Sequence, residues 1–271
     1  MLTFIPTPIG NPQDITLRAM RLFEEAELFL CEDTRETKRL MRLLEERYEM
    51  RSPEAEYLSF NEHNGPQRLE EVAEKLKELK VVYVSDAGMP VISDPGQILV
   101  AYCQKQGVVY DVLPGASAVV TAYAASGFKE GSFLFYGFLP HKGSERNRVL
   151  NEALNTGYNT ILYESPHRLL KLLEEIAAVD PDRMLFLGKE LTKKFQTYYK
   201  QPAKKLLDIL KETHIRGEWV VIIQGENSER EALYLEDILA LDLAPKPKAK
   251  LLAKLTGESV KTCYEGLIKK S

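Results

Sequence analysis

The sequence contains few cysteines and no long apolar run, and both absences exclude classes of protein. Its three cysteines, Cys31, Cys103 and Cys263, are far apart and form no C-x-x-C pair. Neither a disulfide framework nor a zinc site is therefore predicted. No stretch approaches the roughly 18 apolar residues that a membrane-spanning helix needs, and the first residues do not resemble a signal peptide. We expect a soluble, cytoplasmic protein.

Charge is nearly balanced overall but uneven along the chain. Among 271 residues, 40 acidic against 36 basic ones give a net charge of −4, with 44% hydrophobic residues, 16 Gly and 14 Pro. These are ordinary globular values, which exclude disordered and low-complexity classes. From Asp242 to Ser271, however, seven lysines and three acidic residues give +4, which leaves −8 for everything before Asp242.

Short β-rich runs alternate with helical patterns in the first half of the chain. The candidate strands are Leu2–Ile5, Leu28–Cys31, Tyr57–Phe60, Val81–Asp86 and Val108–Leu113. Thr34–Tyr48 and Pro95–Gln106 have helical periodicity. Because strands alternate with helices, we predict parallel βαβ units in an α/β domain covering residues 1–128.

The second half has a different pattern of predicted strands and helices. Its candidate strands are Phe133–Leu139, Thr160–Glu164, Met184–Lys189, Thr197–Lys200 and Glu218–Gln224. The close spacing of the later strands indicates antiparallel pairing, so residues 129–226 are predicted to form a mixed-sheet α/β domain. Residues 227–271 are predicted to form a small Lys-rich helical extension, with a hinge at 244–248 and a last helix ending at Lys269. A helix-turn-helix element and an ordinary helical cap fit that pattern equally well.

Glycine and proline are concentrated in three turns that follow candidate strands. These turns are Pro6–Asn11, Ser85–Gly96 and Pro114–Ala118. Ligands of open parallel sheets bind beyond the carboxyl ends of the strands, and Gly and Pro allow rigid backbone to approach a ligand closely. One such turn would be an ordinary βα connection, but three at one end of a sheet predict a shared small-molecule site.

Two phosphate-binding fingerprints are absent from the sequence. It has no G-x-x-x-x-G-K-[ST] and no G-x-G-x-x-G after the first strand, which disfavours a P-loop NTPase and a dinucleotide-binding domain. A nucleoside-like ligand held by carbonyls and a carboxylate fits better. Asp86 is a candidate hydrogen-bond acceptor for that ligand, or else a cap of the following turn.

Six longer motifs stand out in the sequence, namely Pro6–Arg18, Cys31–Arg35, Asn61–Asn64, Val84–Gly96, Pro114–Ala118 and Tyr163–Arg168. These motifs resemble those of the 16S ribosomal RNA 2′-O-ribose cytidine methyltransferases, a family of the tetrapyrrole methylase superfamily. The resemblance covers nearly the whole chain. It implies an S-adenosylmethionine-dependent enzyme that holds its cofactor in the cleft between two α/β domains. It also implies a homodimer, and small-subunit ribosomal RNA or the assembled 30S subunit as substrate.

The resemblance also implies positions for the cofactor contacts. Transferred position by position, they are Ile9, Gly10, Asp86, Met89, Ser117, Ala118, Leu162 and Tyr163. No metal is expected, because methyl transfer from a sulfonium does not require one.

A ribose hydroxyl is a poor nucleophile, so a nearby base should assist its attack. The candidate bases are His63, Glu62, Asp33 and Glu190. Histidine is the side chain whose ordinary pKa lies nearest to neutral pH, which favours His63, but a histidine beside Asn64 at a helix start is often only a capping or packing residue.

Phosphates of a bound RNA would be neutralised by Lys and Arg. The candidate contacts are Arg35, Lys142, Arg146, Arg148, Lys248 and Lys250, although each basic stretch fits an ordinary solvated surface equally well. Two other functions remain open. One is a tetrapyrrole, corrinoid-precursor or protein methyltransferase of the same superfamily, and the other is a non-catalytic RNA-binding factor for ribosome assembly.

Overall fold

The computed structural model describes residues 1–129, 131–225 and 235–268 of the chain. The chain forms two compact units, Met1–Glu226 and Asn227–Ser271. The larger unit contains two five-stranded sheets, one from each half of its sequence. The predicted boundary at residues 128 and 129 stays a prediction, and the one at residue 226 lies outside the described residues.

The first sheet is entirely parallel, as predicted. Its strands follow the order β3-β2-β4-β1-β5. They are β1 (Leu2–Phe4), β2 (Leu28–Cys31), β3 (Glu56–Ser59), β4 (Val81–Val84) and β5 (Tyr110–Val112). The helices of this half are α1 (Leu17–Glu24), α2 (Thr34–Tyr48), α3 (Gly65–Val72), α4 (Lys75–Glu78), α5 (Gln97–Gln106) and α6 (Ala118–Ser126).

Helices on both faces bury this sheet, because its strands are apolar without alternation. Phe4, Leu30 and Tyr83 belong to the core on one face, whereas Phe29 and Val82 belong to the core on the other. Because the strands are parallel, their carboxyl ends lie at one edge of the sheet, and the loops that follow them are located there.

The second sheet is mixed, again as predicted, and has the order β6-β7-β10-β8-β9. Its strands are β6 (Phe133–Phe138), β7 (Asn159–Glu164), β8 (Met184–Lys189), β9 (Thr197–Pro202) and β10 (Trp219–Ile223). Only the β6–β7 pair is parallel among these described strands; the other three pairs are antiparallel. The helices are α7 (Gly143–Asn155), α8 (Leu169–Val179) and α9 (Ala203–Lys211).

The two faces of the second sheet have different partners. One face packs with α7, α8 and α9 in a core that includes Leu162 and Leu185. The other face contributes Ile161 and Val220 to a cluster with Ile9 and residues of α6. This second cluster joins the two halves of the larger unit and lies beside the loops of the first sheet.

The smaller unit consists, in its described part, of α10 (Leu235–Ala240), α11 (Pro245–Thr256) and α12 (Val260–Ile268). The predicted hinge at 244–248 is wrong, because α11 already begins at Pro245. Proline suits a first helical position, where its missing N–H is not needed. Gly257, with a φ of +75°, ends α11. The predicted end of the last helix, Lys269, lies outside the described residues.

All three cysteines are buried as free thiols, in three different clusters of apolar side chains. Across residues 1–129, 131–225 and 235–268, no helix has the length and apolar character that crossing a membrane requires.

Candidate active site

The three predicted loops meet at the carboxyl edge of the parallel sheet, which confirms their expected convergence. The N–H groups of Thr7 and Gly88 each donate to the other residue's carbonyl at 3.0 Å. The Thr7 hydroxyl donates to the carbonyl of Ser85 at 3.2 Å. A Cβ atom on Gly115 would lie 2.7 Å from Cβ of Pro6, so only glycine allows the third loop to approach the first.

Asp94 holds the loop that follows β4. Its carboxylate accepts hydrogen bonds from the Tyr83 hydroxyl at 2.7 Å, from Val91 N–H at 2.6 Å and from Gly96 N–H at 2.9 Å. Val91 has a φ of +75°, which is unfavourable for a β-branched residue. The carboxylate therefore stabilises a strained loop conformation beside the edge of the sheet.

A cavity of about 500 Å³ lies between these loops and the second sheet. Its volume falls within the range typical of small-molecule sites. The first half of the chain contributes Ile9, Glu32, Ser85, Met89, Asp94, Ser117 and Ala118 to its wall. The second half contributes Phe138, Tyr163, Glu164, Leu191, Glu218, Trp219 and Val220. The cavity is thus the cleft between the two sheets.

Five of the eight predicted cofactor contacts line this cavity. They are Ile9, Met89, Ser117, Ala118 and Tyr163. Gly10, next to Ile9, packs against the loop after β8, where a Cβ atom on Gly10 would lie 2.8 Å from the carbonyl oxygen of Leu191.

Like Gly10, the last two predicted contacts, Asp86 and Leu162, are not part of the cavity wall. Asp86 is exposed, and its carboxylate accepts a hydrogen bond from Asp33 N–H at 3.0 Å. The Leu162 side chain is fully buried in the core on the opposite face of the second sheet. Any cofactor contact from Leu162 would have to come from its backbone.

Ser85 contributes a polar atom that lacks a partner. Its Oγ is buried and makes no hydrogen bond in the described structure, yet the residue lines the cavity. An unsatisfied buried hydroxyl is costly. A ligand group that completes this hydrogen bond would therefore be favoured.

Buried ion pairs adjoin the cavity wall where β7 ends at Glu164. Oε1 of Glu164 lies 3.1 Å from Nε of Arg168, and its Oε2 lies 3.7 Å from Nη2 of Arg146. Arg146 also pairs with Glu175 at 2.8 Å and is only 1% exposed. The prediction that Arg146 contacts RNA is therefore wrong, because its guanidinium is enclosed among carboxylates and cannot reach a phosphate.

None of the four predicted bases belongs to the described cavity wall. His63 and Glu62 are exposed on the loop after β3. Asp33 caps α2, and the hydrogen-bonded Arg35 guanidinium lowers its pKa to about 2.

Glu190 follows β8 and accepts hydrogen bonds from Lys193 Nζ at 3.0 Å and from Glu218 N–H at 2.9 Å. Burial by itself raises the pKa of Glu190, but the two hydrogen bonds have the larger combined effect. The pKa of Glu190 therefore lies below its ordinary value. A carboxylate held in this way is a weak base.

Glu32 is one of the ionisable residues of the cavity wall that the sequence prediction missed. It directly follows β2, lines the cavity and accepts a hydrogen bond from Asp86 N–H at 3.2 Å. Burial raises its pKa above the ordinary 4.5, and the neighbouring carboxylates of Asp86 and Asp94 add to the shift. Its position at the end of a strand, within the Cys31–Arg35 motif, was the signal that could have revealed it.

The other predicted RNA contacts lie on the surface, but several have partners. Arg35 pairs with Asp33 at 2.6 Å, and Arg148 pairs with Glu152 at 3.2 Å. The ammonium of Lys248 donates to the Leu239 carbonyl at 3.0 Å. The two remaining positions, Lys142 and Lys250, are exposed.

Comparisons with known proteins agree with this architecture. Residues 1–207 match the model of the family described as Tetrapyrrole (Corrin/Porphyrin) Methylases. Curated proteins named Ribosomal RNA small subunit methyltransferase I are similar over almost the entire chain. The one from Campylobacter fetus subsp. fetus is 44% identical, covering 99% of this chain and 100% of its own length. The one from Helicobacter pylori is 42% identical, covering 97% and 96%.

Solved structures share the fold at low sequence identity. A cobalamin biosynthetic enzyme, cobalt precorrin-4 methyltransferase, is 18% identical with a TM-score of 0.61, covering 82% of this chain and 94% of that chain. Uroporphyrin-III C-methyl transferase from Thermus thermophilus, complexed with S-adenyl homocysteine, is 14% identical with a TM-score of 0.55, covering 82% and 96%.

Proposed function

Because the chain belongs to the tetrapyrrole methylase family, we propose that it uses S-adenosylmethionine to methylate small-subunit ribosomal RNA. The family match also confirms the predicted fold class. Curated relatives with 44% and 42% identity carry the name of a small-subunit ribosomal RNA methyltransferase. The observation that carries the proposal is the convergence of three loops on one cavity of about 500 Å³. The 2′-hydroxyl of a cytidine is the proposed acceptor.

The cavity fits S-adenosylmethionine in size and chemistry. Apolar side chains such as Ile9, Ala118 and Val220 offer surfaces for an adenine ring, and Ser85 Oγ has a free hydrogen-bonding capacity. When bound, this cofactor supplies an electrophilic methyl group on a sulfonium. The chain's task is to hold the reacting groups in line, which accelerates transfer strongly.

We assign the cofactor to the predicted residues in the cavity wall. These are Ile9, Met89, Ser117, Ala118 and Tyr163, with Gly10 beside them. Asp86 and Leu162 are retained as backbone contacts only, because the Asp86 carboxylate is held by Asp33 and the Leu162 side chain is in the core.

Glu32 is the proposed acceptor of the ribose proton. The other described carboxylates of the wall have strong partners: Asp94 holds its own loop, Glu164 pairs with Arg168, and Glu218 pairs with Lys193 at 2.9 Å. A raised pKa makes the ionised Glu32 a better base than an ordinary carboxylate. The sequence-based candidates His63, Glu62, Asp33 and Glu190 are the alternatives to Glu32.

Phosphate contacts are assigned to basic residues at the surface. These are Lys142 and Lys250, together with Arg35, Arg148 and Lys248, whose charged groups would first have to leave their protein partners. Such contacts position an RNA without reading its sequence. A homodimer and a cytoplasmic location, where ribosomal subunits are assembled, complete the proposal.

Incubation with radiolabelled S-adenosylmethionine tests the proposed function. The substrates are small ribosomal subunits from cells lacking this gene, with subunits from unmodified cells as the control. Label in the RNA of the undermethylated subunits only, located by mass mapping at a cytidine ribose, is the expected result. Label in a corrinoid precursor or a protein, or no label at all, would replace the proposal with one of the two alternatives.

A further inference from the structure

Strand β6 contains a bulge close to the cavity. Phe135 pairs with Ile161 and Gly137 pairs with Leu162, so Tyr136 is an extra residue on β6. Gly137 has a φ of +65°, a conformation that glycine adopts without steric cost. Bulges are frequent beside active sites, where they redirect a side chain.

The bulge changes the face on which Phe138 lies. Regular alternation would place Phe138 on the face opposite Phe135. The extra residue instead pairs Phe138 with Tyr163, on the face that Phe135 shares with Ile161. The Tyr163 ring centroid lies 5.0 Å from that of Phe135 and 5.5 Å from that of Phe138. Phe138 therefore extends an aromatic row into the cavity wall.

Phe138 is nevertheless exposed. The residue is 59% accessible to solvent, whereas Ile9 and Val220 of the same cavity are 8% and 5% accessible. The apolar surface enclosed in the cavity is thus provided by other residues, and Phe138 lies at the rim. An exposed aromatic ring that has been directed to a cavity rim is positioned for a ligand that enters from outside.

The buried ion pairs fix this rim. Nη2 of Arg168 donates to the Leu139 carbonyl at 2.7 Å, and Nη1 of Arg146 donates to the Pro140 carbonyl at 3.1 Å. Both arginines are in turn paired with Glu164, which ends the neighbouring strand. The backbone immediately after Phe138 is therefore anchored, and the ring is presented from a rigid support.

We propose that Phe138 is the surface on which the target nucleobase stacks when its nucleotide enters the cavity. The inference rests on the proposed RNA substrate. Proteins that recognise RNA mostly bind single-stranded loops, bulges and ends, whose unstacked bases stack on aromatic side chains. Such a side chain can stack with any base, because every base has a π face. Phe138 is accordingly a substrate-positioning residue for the nucleotide and does not select its base.

Three substitutions at this position separate stacking from simple apolar contact. Phe138→Ala and Phe138→Leu should each lower kcat/KM for undermethylated small subunits at least tenfold, because neither side chain has a π face. Phe138→Trp should retain activity within about threefold. The dissociation constant of the subunits, measured without cofactor, should rise at least fivefold for the alanine variant. Leu134→Ala, an exposed apolar residue of the same strand outside the cavity wall, is the matched control and should leave both values unchanged.

Calorimetry with S-adenosylmethionine distinguishes the target base from the cofactor's adenine. The expected result is an unchanged cofactor affinity in Phe138→Ala. A comparable loss of cofactor affinity would assign the ring to adenine and overturn the proposal, as would a fully active leucine variant. If the wild-type protein methylates RNA and Phe138→Ala does so equally well, only this inference fails. If the wild-type protein does not methylate RNA, the proposed function fails with it.

Discussion

Gly115 lies directly against the pyrrolidine ring of Pro6. A Cβ atom on residue 115 would lie 2.7 Å from Cβ and 2.9 Å from Cγ of that ring, closer than real side-chain contacts allow. The loop after β5 and the loop after β1 are therefore in contact at one point, and the cavity is bounded by both. Neither side of this contact can adapt easily, because a proline ring is rigid.

Substitution of Gly115 by alanine should consequently destabilise the protein by about 1–3 kcal/mol, as overpacking usually does. It should also weaken S-adenosylmethionine binding, because one of the loops must move. Denaturant unfolding and calorimetry measure the two effects. Gly131→Ala is the matched control, since a Cβ atom there meets nothing within 4 Å. Equal stability of the two variants would contradict the geometry of the contact.

Substitution of Ser85 by alanine should affect cofactor binding but should not lower the stability of the protein. Its hydroxyl has no partner in the described structure, so Ser85→Ala should leave stability unchanged or slightly increased. Cofactor affinity should fall by a few-fold to about tenfold, the effect of one lost hydrogen bond.

Ser126 is the control for Ser85. It is also buried, but its hydroxyl donates to Tyr123 O at 2.7 Å and accepts from Phe128 N–H at 3.2 Å. Ser126→Ala should lower stability without affecting cofactor affinity. If both serine variants behave alike, the unpartnered hydroxyl of Ser85 has no role in binding.

We predict that the ionisation of Glu32 determines how turnover depends on pH. Its carboxylate accepts a proton only when ionised, and burial raises its pKa above 4.5. Turnover should therefore decrease as the pH falls through that raised pKa. Glu32→Gln should lower kcat by about 10²–10⁴-fold and remove this acidic limb from the pH profile.

Glu36→Gln, an exposed residue of α2 paired with Arg39, should behave like the wild type in the same assay. A parallel measurement on His63→Ala decides between the structural and the sequence-based candidate. If turnover collapses in His63→Ala and persists in Glu32→Gln, Glu32 is not the proton acceptor.

Arg146 and Arg148 lie two positions apart on α7, but their substitution by alanine should have different effects on stability and on RNA affinity. Arg146→Ala leaves the buried Glu164 carboxylate and the partly buried Glu175 carboxylate without their shared partner and should cost about 3–5 kcal/mol of unfolding free energy. Arg148→Ala removes only a surface pair and should cost less than about 1 kcal/mol. RNA affinity should fall in Arg148→Ala, with a weaker dependence on salt. A stable Arg146→Ala variant would contradict the buried network.

Strand positions and loop convergence could be predicted from local sequence, because both follow from short patterns. All ten predicted strands are present, with ends shifted by at most two residues. The three Gly/Pro loops follow parallel strands, and parallel strands end at a common edge. The predicted cofactor contacts, such as Ile9 and Ser117, came from the resemblance, and the structure places these residues in the cavity wall.

Features that depend on tertiary packing could not be predicted in the same way. Arg146 lies in a polar stretch typical of a surface, and only the fold encloses it with Glu164. The choice between Glu32 and its acidic neighbour Asp33 depends on which carboxylate faces the cavity. The side chains of adjacent residues point in different directions, and the sequence does not show which of them faces the cavity. The bulge at Tyr136 shifts one aromatic residue to the other face, which simple alternation would miss.

The burial of all three cysteines has a practical consequence. Cys31, Cys103 and Cys263 are 0%, 1% and 7% exposed, and burial raises the pKa of the Cys31 thiol to about 12. Thiolates are the reactive form, so the native chain should resist maleimide dyes. A single cysteine introduced at an exposed residue such as Ser144 would then carry one fluorophore, and the approach of a ribosomal subunit to the cleft could be followed by energy transfer.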